Sequence, residues 1–363
     1  MSNSSLSNSR LSRPIIGWDI GGAHLKAVLL SNNGEIIQIL QLSCQLWKGL
    51  EQLENAMKDA LQTFEISQTS AKHAVTMTGE LVDLFANRHE GVIEISTLTA
   101  KLLGKETMFY AANAGFVAYA DVKRFVSDIA STNWHASASA LAMHVQEALL
   151  IDIGSTTTDI IAIEAGKVKS ATLSDAGRMA DDSLVYTGVV RTPIMALAQK
   201  LTFEGIQMNV AAEYFSTMAD VYRLTGELLP ESDMAETADG KGKTQLDSAR
   251  RLARMVAHDV EAKPMETWVN LANTCKTLQI NQLQVAVLKH LKPNMRIIGA
   301  GAGSFLVEQI AAELTLAYQP PITTMLLAEP ISTSKKHDLE RCFSAYAVAL
   351  LAKKQLTIMN QYA

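Results

Sequence analysis

The 363-residue chain has only three cysteines, Cys44, Cys275 and Cys342, and none of them form a Cys-x-x-Cys pair. A disulfide framework and a cysteine-rich zinc site are thereby excluded, and a reducing cytoplasm is the expected compartment. The eight histidines, among them His24, His89, His135 and His144, show no His-x-His or His-Glu-x-x-His spacing, which removes support for a zinc hydrolase. No Gly-x-Ser-x-Gly elbow is present, so acyl transfer by a serine of that kind has no local basis. Basic residues are in deficit, 32 Lys and Arg against 37 Asp and Glu, for a net charge of −5. Without a basic stripe no nucleic-acid partner is expected, and small molecules are. Long apolar runs are missing too: the stretch 148–163 is broken by Asp, Gly and Thr, short of the roughly 18 residues a membrane span needs. No membrane association is expected.

What the chain does have is apolar material for a large core, 48% of residues against 19% charged. Its length suggests roughly two domains. Residues 1–13, rich in Ser and Asn, lack the apolar run of a secretory signal and read as a frayed tail.

One short phrase occurs twice, as Asp19-Ile20-Gly21-Gly22 and Asp152-Ile153-Gly154-Ser155, each time straight after an apolar run. An acidic residue ending a buried strand, followed by a glycine turn with exposed backbone N–H groups, suits a metal ion bridged to phosphate oxygens. Asp19 and Asp152 are therefore the candidate Mg²⁺ ligands. Gly21, Gly22, Ala23 and Lys26, with Gly154, Ser155, Thr156 and Thr157, are the candidate phosphate-binding groups. A hairpin whose glycines only permit tight geometry is the alternative for either turn alone.

The surrounding pattern repeats as well. Strand, turn, strand, tight turn and strand run through 15–42 and again through 148–173, at a period far above the roughly 20 to 50 residues of stacked repeats. Duplicated lobes follow, with 14–147 as the first and 148–338 as the second. A helical insertion is expected around 193–291, including helices over 193–200 and 210–224, and 339–363 reads as a C-terminal helix packing back on the first lobe. Met295–Ile298 reads as a strand delivering Gly299, Gly301 and Gly303 to a helix that opens at Ser304. Its Gly-Ala-Gly-Ala-Gly spacing is not a dinucleotide fingerprint, and it reads as a surface for a flat moiety close to backbone. Gly240-Lys241-Gly242-Lys243-Thr244 is no P-loop, because Thr237 stands where the first glycine belongs and the preceding segment is polar. On the next helix Arg250 and Arg254 share a face with Arg251 beside them, so one of the three could clamp phosphate. Asn133-Trp134-His135, a polar and aromatic cluster in an expected connecting segment, is a candidate substrate-binding group.

The two Asp-Ile-Gly turns and the Gly299–Gly303 loop resemble, in order, the two phosphate elements and the adenosine element of the actin, sugar kinase and Hsp70 fold. That resemblance implies an α/β protein of two duplicated actin-like (ribonuclease H-like) lobes with a cleft between them. More narrowly, Met77-Thr78-Gly79-Glu80-Leu81, Asn133-Trp134-His135-Ala136, Thr187-Gly188-Val189-Val190-Arg191-Thr192-Pro193, Asp220-Val221-Tyr222, Arg251-Leu252-Ala253-Arg254-Met255 and 296–304 resemble one hydantoinase/oxoprolinase-like family. It is known as the tetrahydromethanopterin-linked one-carbon transfer pathway protein, and its methanogen relatives act in methanofuran biosynthesis. The resemblance covers 15 to about 350 and implies an alkyl transfer with two small-molecule substrates. A phenol of a tyramine or tyrosine unit attacks the methylene of an aminomethylfuran methyl diphosphate, and pyrophosphate leaves. Arg191 or Arg254 would steady the leaving group, with Mg²⁺ near Asp19 or Asp152, and Glu80, Asp159 or His135 would take the phenol proton. A homodimer is compatible with this reading. The contrasting readings are an ATP-using kinase or hydantoinase-like amide hydrolase of the same fold, with ATP as the alternative occupant, and a nucleotide-bound regulator.

Overall fold

The computed structural model describes residues 13–316, 318–319 and 332–361. Strands β1 (Ile15–Ile20), β2 (His24–Leu30) and β3 (Ile36–Ser43) form an antiparallel meander, because glycine-bearing turns separate three runs of apolar residues. Helix α1 (Leu50–Thr63) buries Leu53, Ala56, Met57 and Ala60, spaced three and four apart, and leads to β4 (Lys72–Met77), which pairs parallel to β1. Helix α2 (Arg88–Leu103) starts where Asn87 Oδ1 accepts from Glu90 N, and β5 (Met108–Tyr110), β6 (Phe116–Ala118) and helix α3 (Asn133–Ala142) follow. Next come β7 (Ala148–Ile153), β8 (Thr158–Glu164), β9 (Lys167–Lys169) and β10 (Leu184–Val185), then the hairpin β11 (Lys200–Phe203) and β12 (Ile206–Asn209). Helices α4 (Met218–Thr225), α5 (Gln245–Arg254) and α6 (Met265–His290) precede β13 (Arg296–Ala300), α7 (Ser304–Glu313) and β14 (Tyr318–Gln319). Helices α8 (Thr333–Arg341) and α9 (Phe343–Gln361) complete the described chain.

These elements form two compact units. Of the described residues, 13–146, 163–177 and 332–361 make the first, and 147–162, 178–316 and 318–319 the second. One sheet runs β3-β2-β1-β4-β5-β6 and the other β10-β8-β7-β13-β14. In each, the strand that ends in Asp-Ile (β1 or β7) has its own hairpin partner on one side and a later, parallel strand (β4 or β13) on the other. The same strand order thus recurs in the two sheets, and the α/β class is as expected.

Each unit has its own core. In the first, Ile16, Trp18 and Ile20 of β1 pack with Leu53, Met57 and Val92 of the helices. Helix α9 lies directly on β1 at Gly17, where a Cβ would fall 2.0 Å from Ala345 O and 2.8 Å from Ala349 Cβ. In the second, Leu149, Ile151 and Ile153 of β7 pack with Leu252, Trp268, Leu283 and Leu306.

The structure departs from the sequence reading in several places. Residues 163–177 cluster with the first unit instead of the second. The helices expected over 193–200 and 210–224 shrink to Ile194–Leu197 and α4, and the β11–β12 hairpin stands between them. Its period is two, with Leu201 and Phe203 buried between exposed Lys200 and Thr202, and Glu204 (φ 47°) with Gly205 (φ 80°) makes the tight turn. Helix α4 starts late because Thr217 and Asp220 form a capping box. Gly299 lies inside β13 rather than in the loop. Asn133, Trp134 and His135 open helix α3 rather than a connecting segment. Residues 1–12 of the expected tail lie outside the described residues.

Candidate functional site

In the first unit β1 delivers Asp19 to the end of a buried strand, where the residue is 2% exposed. Pairing of β1 with β2 sets Lys26 opposite Asp19, and Lys26 Nζ lies 3.5 Å from Asp19 Oδ2. Ser344 Oγ of α9 donates to the same oxygen at 2.5 Å. Asp19 Oδ1 is buried and has no hydrogen-bond partner among the described residues. An orphaned carboxylate oxygen fits a hydrated Mg²⁺, which typically takes only one or two protein carboxylates beside water and phosphate. Among the described residues no three His, Cys, Asp or Glu side chains gather as a metal cluster. Gly21 N donates to His24 O at 3.0 Å and closes the turn, while Gly22 and Ala23 fall between the two strands, outside the ladder. The segment after β4 supports this turn. Thr78 N donates to Ile20 O, and a Cβ on Gly79 would come 3.2 Å from both Ile20 O and Gly21 O.

The second unit supports its turn through backbone. Gly154 N donates to Thr157 O at 2.8 Å, which leaves Ser155, Thr156 and Thr157 between β7 and β8. The segment 187–192 lies against this turn: Val189 N donates to Gly154 O, and Val190 N and Arg191 N both donate to Ser155 O. Only glycine fits at 188, since a Cβ there would meet Thr156 N at 2.5 Å and Gly154 O at 2.6 Å. Gln279 Nε2 of α6 donates to Thr187 Oγ1 and Gly188 O, and Tyr222 OH of α4 donates to Gln279 Oε1. The glycine loop meets the same turn from the other strand. Gly303 N donates to Ile153 O, and at Gly301 (φ 82°) a Cβ would lie 2.4 Å from Asp152 Oδ1. Thus Asp152, Gly154–Thr157, Gly301, Gly303, Ser304 and the backbone of Arg191 come together within one unit, and the Arg191 side chain is exposed.

Other candidates are placed differently. Asp159 on β8 pairs with Arg178, whose Nη2 is 2.7 Å from Asp159 Oδ1 and also donates to Ser183 O. His135 Nδ1 lies 2.9 Å from Tyr110 OH and 3.3 Å from Ser139 Oγ, and burial pushes the Tyr110 phenol up to about 12. Trp134 is 2% exposed and belongs to the packed interior, and Asn133 Oδ1 accepts from its backbone N–H. Glu80 is buried, and that burial raises its carboxyl above the usual range.

Of the three arginines on α5, Arg251 is wholly buried and cannot reach a ligand. Its Nε and Nη2 donate to Asp220 Oδ1 at 2.9 and 2.8 Å, and its Nη1 donates to Asp239 Oδ1 at 3.0 Å. Arg223 joins the network, donating to Asp220 and, through two nitrogens, to Asp233. Arg254 is exposed and stands 3.7 Å from Asp239. The 240–244 loop ends in a capping box of Thr244 and Asp247, a helix start rather than a phosphate loop. Cys44 is buried, its thiol pushed up to about 11 by desolvation. Ser344 and Gln279 have no place in the sequence reading, and Tyr222 enters it only within the segment Asp220-Val221-Tyr222, with no role attached. Each lies far along the chain from the turn it supports, and no local pattern marks it.

Two sheets of repeated order with a glycine-braced acidic turn at the end of each founding strand define an α/β fold shared with acetone carboxylase. Its nucleotide-free structure is similar with a TM-score of 0.57 at 10% identity, covering 93% of this chain and 70% of that one. A family model described as Hydantoinase/oxoprolinase matches residues 72–320, and the chain belongs to that family. It is similar to the (4-{4-[2-(gamma-L-glutamylamino)ethyl]phenoxymethyl}furan-2-yl)methanamine synthase of Methanocaldococcus jannaschii, 28% identical over 345 residues, 94% of this chain and 98% of that one. A protein of the same name from Methanococcus vannielii is 27% identical over 212 residues, covering 57% of this chain and 91% of its own length. No helix among the described residues is long and apolar enough to cross a membrane.

Proposed function

We propose that the protein is a transferase of methanofuran-type cofactor biosynthesis that builds an aryl ether from a phenol and a furylmethyl diphosphate. The observation that carries this reading is the alignment with a named synthase over 94% of this chain and 98% of the relative. The product in that name contains one phenoxymethyl link between a furan and a phenol bearing a glutamylaminoethyl arm. In the reaction the phenol oxygen bonds to the furylmethyl carbon, the bond from that carbon to the diphosphate oxygen breaks, and the phenol proton passes to a base. The furan ring can share positive charge that develops on the methylene, so most of the catalytic demand lies in receiving the departing diphosphate.

The residues suit that demand. Ser155, Thr156 and Thr157 offer N–H and hydroxyl donors on the turn that the Gly154 N–H closes, and Arg191, whose N–H is bound to Ser155 O, carries a planar cation that matches phosphate oxygens. Gly22 and Ala23 offer N–H donors on the turn that the Gly21 N–H closes, with Lys26 close to Asp19. Asp19 and Asp152 are the residues that would hold Mg²⁺, which when bound neutralises diphosphate charge. His135 and Asp159 are the candidates for the base, and both already sit in polar networks that orient them.

Mixing the purified protein with an aminomethylfuran methyl diphosphate, Mg²⁺ and γ-glutamyltyramine or tyramine is expected to release pyrophosphate and give the ether, read by mass spectrometry. Thermal shift separates this from nucleotide use, since a ligand bound by the native state alone raises the melting point. Strong stabilisation by ATP with none by pyrophosphate sinks the proposal.

A further inference from the structure

Glu80 follows Gly79, the residue packed on the carbonyls of the first turn. Its side chain enters a closed group of polar atoms. Ser131 Oγ lies 2.7 Å from Glu80 Oε1 and 3.0 Å from Asp175 Oδ2. Arg88 Nη2 donates to the same Asp175 oxygen at 2.7 Å. Glu80 is 1% exposed, and its Oε2 is buried with no hydrogen-bond partner among the described residues. Helix α2 packs on it so closely that a Cβ on Gly91 would come 2.5 Å from Glu80 O. The charged groups that face Glu80 are Arg88 from α2 and Asp175 from the segment 163–177.

A serine hydroxyl has one hydrogen, and an ionised carboxylate can only accept. With both carboxyls ionised, one of the two short contacts would set lone pair against lone pair, or two negative groups would share one hydrogen away from water. The geometry closes only if one carboxyl carries a proton. Asp175 has the guanidinium of Arg88 at its oxygen, and Glu80 has no ion pair among the described residues. Burial and the nearby Asp175 charge both raise the Glu80 carboxyl.

We infer that Glu80 is a neutral carboxylic acid at neutral pH, donating to Ser131 Oγ, which in turn donates to Asp175. One proton is held by the pair. Ser131 sits at the relay with φ 53°, a left-handed backbone uncommon for a residue with a side chain, and its two contacts hold it there. Glu80 is then a positioning residue. It fixes the segment Thr78–Leu81 against the first turn and is removed from the candidates for the base, which leaves His135 and Asp159. Only that last consequence rests on the proposed ether-forming reaction.

Carboxyl NMR of protein labelled with ¹³C in its glutamate side chains tests the proton directly. The expected result is one glutamate carboxyl still protonated at pH 7, lost in Glu80→Gln and shifted in Ser131→Ala. If every glutamate carboxyl is ionised at pH 7, or the protonated one survives Glu80→Gln, the inference is overturned. Should Glu80→Gln fail to fold, Ser131→Ala makes the assignment. A second arm uses turnover: Glu80→Gln, which keeps a neutral donor, is expected within about threefold of wild type, whereas loss of a general base costs about 100-fold or more. A 100-fold loss with a folded variant overturns the positioning role. If the wild type makes no ether at all, the functional proposal fails and the NMR arm still decides the proton.

Discussion

In the first unit the turn's aspartate is held by side chains, Ser344 and Lys26 on one oxygen, with support from a helix that closes on β1. In the second unit the matching turn, which shares Asp-Ile-Gly, is braced by backbone: 187–192 bonds its carbonyls, and Gly188, Gly301 and Gly303 allow three strands of chain to approach without side chains between them. Similar local sequence therefore rests on different support. Side-chain support can be removed one group at a time, whereas backbone support fails by steric collision.

The contrast can be broken most severely at the aspartates. Asp152→Asn and Asp19→Asn are each expected to lower ether formation at least about 100-fold through loss of charge at the phosphate site. Asp19→Asn should also lower the melting temperature, because Asp19 anchors a helix through Ser344, and an unchanged melting temperature would remove that anchor from the account. Arg191→Ala should cost about 100-fold in turnover, and Arg191→Lys should recover part of it, since lysine supplies charge without the planar fork. Gly188→Ala is expected to destabilise by about 1–3 kcal/mol, measured by urea unfolding, because its Cβ meets backbone that cannot swing aside. Ser344→Ala should cost about 2 kcal/mol, the scale of a lost hydrogen bond to a charged group.

The smallest effect is a pH dependence confined to the second unit. Burial opposes ionisation of Asp233, but hydrogen bonds and charge from Arg223 with Lys243 hold its carboxyl below the ordinary value of 3.8. Asp239 is likewise lowered: burial again opposes ionisation, and hydrogen bonding from Lys241 with the charge of Arg251 outweighs it. A carboxyl with a lowered folded-state pKa contributes stability that is present above 3.8 and lost as pH falls through the folded value. The acid limb of an unfolding curve should therefore flatten in Asp233→Asn and Asp239→Asn.

Much of this arrangement was legible in the chain. The meander, both acidic turns and the duplicated order follow from apolar runs ended by glycine, which are local signals. The refusal of a phosphate loop at 240–244 also rested on local facts, and Thr244 caps a helix there. Long-range partners left no such trace. Arg250, Arg251 and Arg254 are alike in sequence, and only the tertiary placement of Asp220 and Asp239 makes Arg251 a buried structural ion. Trp134 beside Asn133 and His135 suggested a binding loop, yet helix α3 turns the indole into the core. At 200–209 the alternation of Leu201 and Phe203 with polar neighbours is too short to mark a strand among the helical residues around it, and a hairpin stands between the two expected helices.

The seat of α9 on β1 bears on how the protein comes to be folded. Ser344 and Asp19 are 325 residues apart, and Gly17 leaves room for no side chain beneath Ala345 and Ala349. During synthesis β1 leaves the ribosome long before the helix that covers it. Until then one face of the first sheet remains without its cover while the whole second unit is made. Contacts of such sequence separation form slowly and leave apolar surface open to aggregation. A chain truncated before residue 343 should accordingly keep a competent second unit, bind chaperones through the bare face of the first, and regain solubility when a peptide spanning 343–361 is supplied in trans.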